Sequence, residues 1–200
     1  MRITGGAFKG RSLSCPKGRV VRPTTDKVRQ ALFNILASNY VSDWKEVTVL
    51  DLFAGTGALG LEAISRGARH CTFIEHNKRV LSHLKKNLQI VPVNSGSIRL
   101  LGLDVYSFLE RPANPEEQMP FTLVLADPPY GKGHISRLLK AFSKSYKLVS
   151  DDALIVIEEK RGALSLLNNG DMYGFEPIKE KGYGDSALFF FRREEMLKDE

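Results

Sequence analysis

Four short, largely apolar runs, at 47–52, 71–74, 98–101 and 123–126, each carry a carboxylate at or just past their C-terminal end: Asp51, Glu75, Asp104 and Asp127. The runs are apolar at odd and even positions alike. That is the pattern of strands buried on both faces, hence of a parallel sheet covered by helices on either side. The stretches between them supply the helices. Glycine-rich 54–60 leads into one closed by Gly67, Asn77 can cap one carrying Val80, Leu84 and Leu88, and Ile135, Leu138, Leu139 and Phe142 mark another. An earlier helix with Val28, Leu32, Ile35 and Leu36 follows the capping cluster Thr24-Thr25-Asp26, and further strands are expected at 153–157, 175–179 and 187–191. Residues 111–120 hold three prolines and read as a loop, whereas glycine-rich 1–21, with Ile3, Phe8 and Leu13, reads as a hairpin. In an α/β sheet of this kind ligands bind beyond the carboxyl ends of the strands, so the four acids should share one functional rim.

Two hundred residues without an internal repeat fit one such domain, and 42% hydrophobic residues exclude a wholly disordered chain. No apolar run approaches the ~18–20 residues of a membrane span, and the first residues lack the apolar core of a secretory signal. Cys15 and Cys71 are too few for a disulfide framework or a structural zinc site. A metal-free, cytoplasmic, monomeric protein is expected. The charge is unevenly distributed. Residues 1–29 hold eight Lys and Arg against Asp26 alone, whereas the other 171 residues carry a net charge of −1. A basic arm of this kind suits a polyanion, because phosphate neutralisation dominates nucleic-acid affinity. Arg2, Lys9, Arg11, Arg22 and Arg29, with Lys132 further on, are the candidate RNA contacts.

Asp51-Leu52-Phe53-Ala54-Gly55-Thr56-Gly57-Ala58-Leu59-Gly60 contains G-x-G-x-x-G, and Glu75 follows Gly55 by twenty residues, as a ribose-binding acid would. A nicotinamide or flavin nucleotide, S-adenosylmethionine, and a purely structural turn all remain open on this spacing. Asp51 argues for S-adenosylmethionine, since a carboxylate beside a pyrophosphate costs binding while an ammonium and a sulfonium favour it.

The second motif, Asp127-Pro128-Pro129-Tyr130, follows the fourth strand directly. Its two prolines stiffen the turn, so the Asp127 side chain and the Pro128 carbonyl can both be aimed at one amino group. An exocyclic nucleobase amine has its lone pair delocalised into the ring, and two acceptors on its N–H bonds favour the pyramidal nitrogen that attacks a methyl group. Tyr130 supplies a ring to stack on the base, a role that leaves its hydroxyl dispensable. His76 and His134 tempt a general-base role, but transfer from a sulfonium needs no prior deprotonation. Both are expected on loops or the surface.

The first motif resembles motif I of class I methyltransferases, and Asp127 to Tyr130 resembles the [N/D/S]PP[Y/F] motif of nucleic-acid amino-methyltransferases. Arg2-Ile3-Thr4-Gly5-Gly6, Lys9-Gly10-Arg11 and Arg22-Pro23-Thr24-Thr25-Asp26-Lys27-Val28-Arg29 resemble the N-terminus of the RsmD family, bacterial methyltransferases that modify guanine N2 in small-subunit ribosomal RNA. The resemblance runs from Arg2 to about Arg193. It implies a class I, Rossmann-like sheet of seven mostly parallel strands with the last one antiparallel. A basic extension at 1–22 would contact RNA, and the methyltransferase domain would span 23–200. Asp51, Phe53, Ala54, Gly55, Thr56 and Gly57 would line the methionine end of the cofactor, with Arg22 and Thr24 closing it. Glu75 and His76 would sit at the ribose, and Asp104 and Val105 at the adenine. Asp127, Pro128, Pro129 and Tyr130 would form the catalytic turn. The expected partner is ribosomal RNA, alone or within a small-subunit particle. The competing readings are a DNA adenine-N6 methyltransferase, against which the chain shows no inserted target-recognition segment, and a non-catalytic RNA-binding factor on a degenerate fold.

Overall fold

The computed structural model describes residues 1–16, 26–92, 95–111, 120–145 and 147–194. Arg22, Thr24, the boundary expected after residue 22 and most of the proline-rich 111–120 stretch lie outside them. The strands are β1 (Thr48–Leu52), β2 (His70–Ile74), β3 (Ile98–Leu101), β4 (Phe121–Ala126), β5 (Val149–Lys160), β6 (Phe175–Tyr183) and β7 (Ser186–Arg193), and the helices α1 (Asp26–Asn39), α2 (Ala58–Arg66), α3 (Lys78–Leu88), α4 (Val105–Leu109) and α5 (His134–Lys144). All seven strands form one sheet in the order β3-β2-β1-β4-β5-β7-β6, and β7 is antiparallel to both its neighbours while the β1–β5 pairings are parallel. The seven-stranded, mostly parallel sheet implied by the family resemblance is therefore present.

Alternation along each strand divides the core in two. Val49, Phe73, Leu125, Val156 and Phe190 pack with α1, α2 and α3 on one face. Leu50, Ile74, Val124, Ile155, Phe189 and Phe191 pack with α4 and α5 on the other. Three consecutive phenylalanines in β7 are thus used on both sides, each essentially inaccessible to solvent. Cys71 is a buried strand residue on the first face, and burial pushes its thiol up in pKa.

The register puts the parallel strand ends level: Leu52 pairs with Ile74 and Ala126, Ile74 with Leu101, and Ala126 with Ile157. Strand order reverses between β1 and β4, so a crevice opens there, flanked by the turn after each strand. Two local choices were not foreseen. Asp104 is the N-cap of a short fourth helix, accepting from the Tyr106 and Ser107 backbone N–H groups at 2.9 and 3.0 Å. β5 also runs three residues beyond the expected 157, which brings Glu158 and Glu159 to the rim.

Residues 1–16 are not an appendage. Ile3 and Leu13 belong to the first core, and the only strand-like pairing described in this segment is the isolated antiparallel bridge Arg2–Ser12. Gly6 lies so close to α2 that a Cβ would fall 1.9 Å from the Ser65 carbonyl oxygen, and its φ of +77° is one that glycine tolerates best. Ser65 completes the docking, its carbonyl accepting from Ala7 N–H and its hydroxyl donating to the Gly5 carbonyl and accepting from Phe8 N–H.

The same docking corrects one expected RNA contact. Arg29 is fully buried: its guanidinium lies 2.8 Å from Asp26 and 3.5 Å from an equally buried Glu62, and it donates to the Arg2 carbonyl. Glu62 also accepts from Thr4 N–H and Oγ1 and pairs with Arg66. Arg29 is thus a core ion, with no face left for a phosphate. Removing Glu62 would take away the fully buried counter-charge and leave Arg29 the half-exposed Asp26 and the Arg2 carbonyl, so Glu62→Ala should cost about 3 kcal/mol of stability and Glu62→Gln clearly less. Urea unfolding midpoints at unchanged slope measure this, and a loss below about 1 kcal/mol would show that Arg29 is satisfied without Glu62.

Candidate active site

The glycine-rich turn after β1 is shaped by packing as much as by any ligand. Gly57 caps α2 in the left-handed region, at φ +81°, and a Cβ there would sit 2.3 Å from Leu84 of α3. Gly60 lies against β2, where a Cβ would meet Phe73 at 2.4 Å and Cys71 Sγ at 2.6 Å. The tight helix–strand contact brings the Gly60 N–H to 2.9 Å from Asp51 Oδ2. Asp51 is almost wholly buried. Burial raises its carboxyl well above the usual range, the Gly60 N–H opposes that, and the nearby acids Asp127 and Glu75 add to the rise. A cation brought to this carboxylate would be strongly favoured.

Glu75, one residue past β2, is oriented by backbone donors: Gly55 N–H at 3.0 Å on one oxygen and Asn77 N–H at 2.7 Å on the other. Each carboxylate oxygen accepts more than one bond, so two hydroxyls can still be received. Asn77 in turn caps α3 through Arg79 and Val80 N–H.

On the other side of the crevice, the Asp127–Tyr130 turn is fastened to the end of β5. The Tyr130 hydroxyl donates to Glu158 Oε1 at 2.6 Å, a carboxylate that also accepts from Ser186 Oγ at 3.1 Å. Gly131 N–H donates to Glu159 at 3.0 Å. Burial and the Glu158 carboxylate hold the Tyr130 phenol far up in pKa, so it stays a donor. The hydroxyl expected to be dispensable thus has a buried, charged partner.

These parts line one cleft of about 390 Å³, within the ~300–1,000 Å³ usual for ligand sites. Of the expected residues it gathers Asp51, Phe53, Ala54, Gly55, Thr56, Glu75, His76, Asp127, Pro128, Pro129 and Tyr130. Gly57 shapes the turn from behind. Asp104 is exposed outside the lining, and the Val105 side chain is turned into the second core, so neither side chain expected at the adenine joins the cleft. Arg2, Lys9, Arg11 and Lys132 are exposed, with Arg2 facing Asp26 at 3.8 Å and Arg11 over the Phe8 ring.

His134 departs from its expected surface position. It is buried, with Nδ1 2.5 Å from the Tyr106 hydroxyl and its ring edge-on to Phe53, and burial lowers its pKa. Burial raises the Tyr106 phenol to about 12, so both groups stay uncharged at neutral pH. His76 is exposed, as expected. Among the described residues no group of three or more His, Cys, Asp or Glu is arranged to hold a metal ion, and no helix is long and apolar enough to cross a membrane.

Three participants were not foreseen. Met1 lines the cleft, its sulfur 3.4 Å from Thr56 Oγ1. Glu158 anchors Tyr130. Asn87, fully buried in α3, bonds the Thr56 carbonyl. Asn87 left a trace in the sequence, a polar residue on the apolar stripe of Val80, Leu84 and Leu88; Met1 and Glu158 left none.

The family model described as Conserved hypothetical protein 95 matches residues 1–192. Ribosomal RNA small subunit methyltransferase D of Escherichia coli K12 is 35% identical over 97% of this chain and 90% of its own length. The putative rRNA methyltransferase YlbH of Bacillus subtilis is 34% identical over 96% and 99%. Among solved structures, the putative methyltransferase yhhF from Escherichia coli superposes with a TM-score of 0.77 at 35% identity, covering 98% of this chain and 99% of that one. The putative methylase HI0767 from Haemophilus influenzae does so with a TM-score of 0.74 at 30% identity, covering 97% and 98%. Matched nearly end to end by the family model and by relatives above 30% identity, the chain belongs to the Conserved hypothetical protein 95 family, that of ribosomal RNA small subunit methyltransferase D.

Proposed function

We propose that the chain transfers a methyl group from S-adenosylmethionine to the exocyclic N2 amine of a guanine in small-subunit ribosomal RNA. Family membership carries the coarser part: an S-adenosylmethionine-dependent methyltransferase of ribosomal RNA. The observation that supports transfer to an exocyclic amine is the convergence of Asp51, Glu75 and Asp127–Tyr130 on one cleft at the point where strand order reverses, and the resemblance supplies guanine N2 as the amine.

The residues fit the cofactor. Asp51 offers a buried carboxylate to its ammonium and sulfonium, Glu75 offers two oriented oxygens to ribose hydroxyls, and Phe53 offers an apolar wall. When bound, the cofactor supplies an activated methyl group. The chain does the rest. The Asp127 carboxylate and the Pro128 carbonyl accept from the target amine and hold it for in-line attack, while the Tyr130 ring, fixed through Glu158, stacks on the unstacked base. Arg2, Lys9, Arg11 and Lys132 supply phosphate contacts.

Mass spectrometry of nucleosides from ribosomal RNA and, in parallel, from DNA, each treated with the protein and labelled cofactor, tests the reading. N2-methylguanosine is expected. N6-methyladenosine would reassign the base, methylated DNA the substrate, and no transfer would leave a binding factor. Asp127→Ala should cost about 10²–10³ in turnover with cofactor affinity intact, and Asp127→Asn, which keeps an acceptor oxygen, should lose less. Equal loss in both would mean that the negative charge itself is required.

Tyr130→Phe should lower kcat/KM by about tenfold, the lower end of what a hydrogen bond to a charged group contributes. Glu158→Gln retains an acceptor and should stay nearer the unmodified protein. Full activity in Tyr130→Phe would show that packing alone holds the ring.

A further inference from the structure

Asn87 is a fully buried amide that joins two segments far apart in sequence. Its Nδ2 donates to the Thr56 carbonyl at 2.8 Å and to the Ser14 carbonyl at 2.9 Å, and its Oδ1 accepts from Ser14 N–H at 2.7 Å. Thr56 lies in the glycine-rich turn that lines the cleft, and Ser14 lies in the basic N-terminal segment. The same two segments meet again where the Met1 sulfur approaches Thr56 Oγ1. Around Ser14 the segment is clamped further to α3, Ser14 Oγ lying 2.7 Å from His83 Nδ1, and just past that helix Arg11 donates to the Ile90 carbonyl.

We propose that Asn87 is a positioning residue that couples the basic segment to the glycine-rich turn, so that polyanion binding and cofactor binding strengthen each other. The physical argument is one of shared hydrogen bonds. Both donors of the Asn87 amide and one acceptor site are committed, so the docked position of the segment and the position of the Thr56 carbonyl are fixed by one side chain. A polyanion that grips exposed Arg2 and Lys9 better on the docked segment than on a loosened one favours docking, and through Asn87 part of that preference is passed to the turn that receives the cofactor. Linkage makes the effect reciprocal. Gly57, pressed against Leu84, follows Thr56, so a shift of the turn is resisted by α3 on that side and guided by Asn87.

This inference rests on the proposed function, and the experiment separates the two. S-adenosylhomocysteine, which cannot be turned over, is titrated into the protein with and without a saturating oligouridylate, which offers phosphates but no guanine. The reverse titration is then run. Failure of either ligand to bind would count against the proposed function itself. If both bind, each should tighten the other by about fivefold or more, the lower end of ordinary coupling. Independent binding in the unmodified protein would overturn the inference. In Asn87→Ala, if circular dichroism shows the native fold, coupling should fall toward onefold by more than either affinity alone declines. His83→Ala, which removes a clamp on Ser14 and touches neither Asn87 nor the turn, should lower the coupling while circular dichroism stays native. Coupling undiminished in His83→Ala, or in folded Asn87→Ala, would overturn the inference too.

Discussion

The buried carboxylate of Asp51, held by the Gly60 N–H at the end of β1, is the interaction on which the rest of the site depends. To receive that N–H, α2 must start close to β1 and β2, and the absence of a side chain at Gly60 permits it. With α2 there, the turn from Phe53 to Gly57 is forced around the strand ends and forms one wall of the cleft. A buried carboxylate without a full counter-charge is costly, so the arrangement favours a cationic ligand over a pyrophosphate. That separates a site for S-adenosylmethionine from the dinucleotide sites sharing its glycine spacing.

The second wall is made rigid by a different device. Proline twice in succession removes two donors and two soft dihedrals, and the turn they stiffen is then tied at Tyr130 and Gly131 to consecutive acids of β5. Because successive side chains of a strand point to opposite faces, Glu158 and Glu159 reach different groups of the turn from one short stretch. The exposed charges of Arg2, Lys9 and Arg11 are carried by an N-terminal segment that is itself part of the core, through Ile3, Leu13 and the Arg29–Glu62 pair. Arg29, a residue of the same basic cluster, serves the interior instead.

Strands, most helices and the cleft acids were legible because their signals are local: apolar runs, helical spacing, glycines and a strand-end carboxylate. The antiparallel seventh strand came from the family resemblance. What was not legible depends on contacts between distant residues. Nothing in the sequence distinguishes Arg29 from Arg2 as a phosphate ligand, since burial is decided by Glu62, thirty-three positions away. His134 opens α5 immediately after a Gly-Lys-Gly turn and reads as exposed, yet Phe53 and Tyr106 enclose it. Asp104 sits at a strand end like the other acids but spends its carboxylate on capping α4. The hydroxyl of Tyr130 needed the extension of β5 to find Glu158.

We propose that the Asp51 carboxylate, raised in pKa by burial, receives the cofactor's positive charge. A cation beside it lowers that pKa again, so binding should expel a proton wherever the free protein holds one above the usual carboxylate range. Affinity should accordingly rise with pH through the raised titration range of Asp51 and level off above it. Calorimetry of S-adenosylmethionine binding in buffers of different ionisation enthalpy, repeated from mildly acidic to neutral pH, counts that proton. Release that is present in the unmodified protein and abolished in Asp51→Asn is the predicted result. Binding with no proton exchange at any pH, or release that persists in Asp51→Asn, would contradict the account.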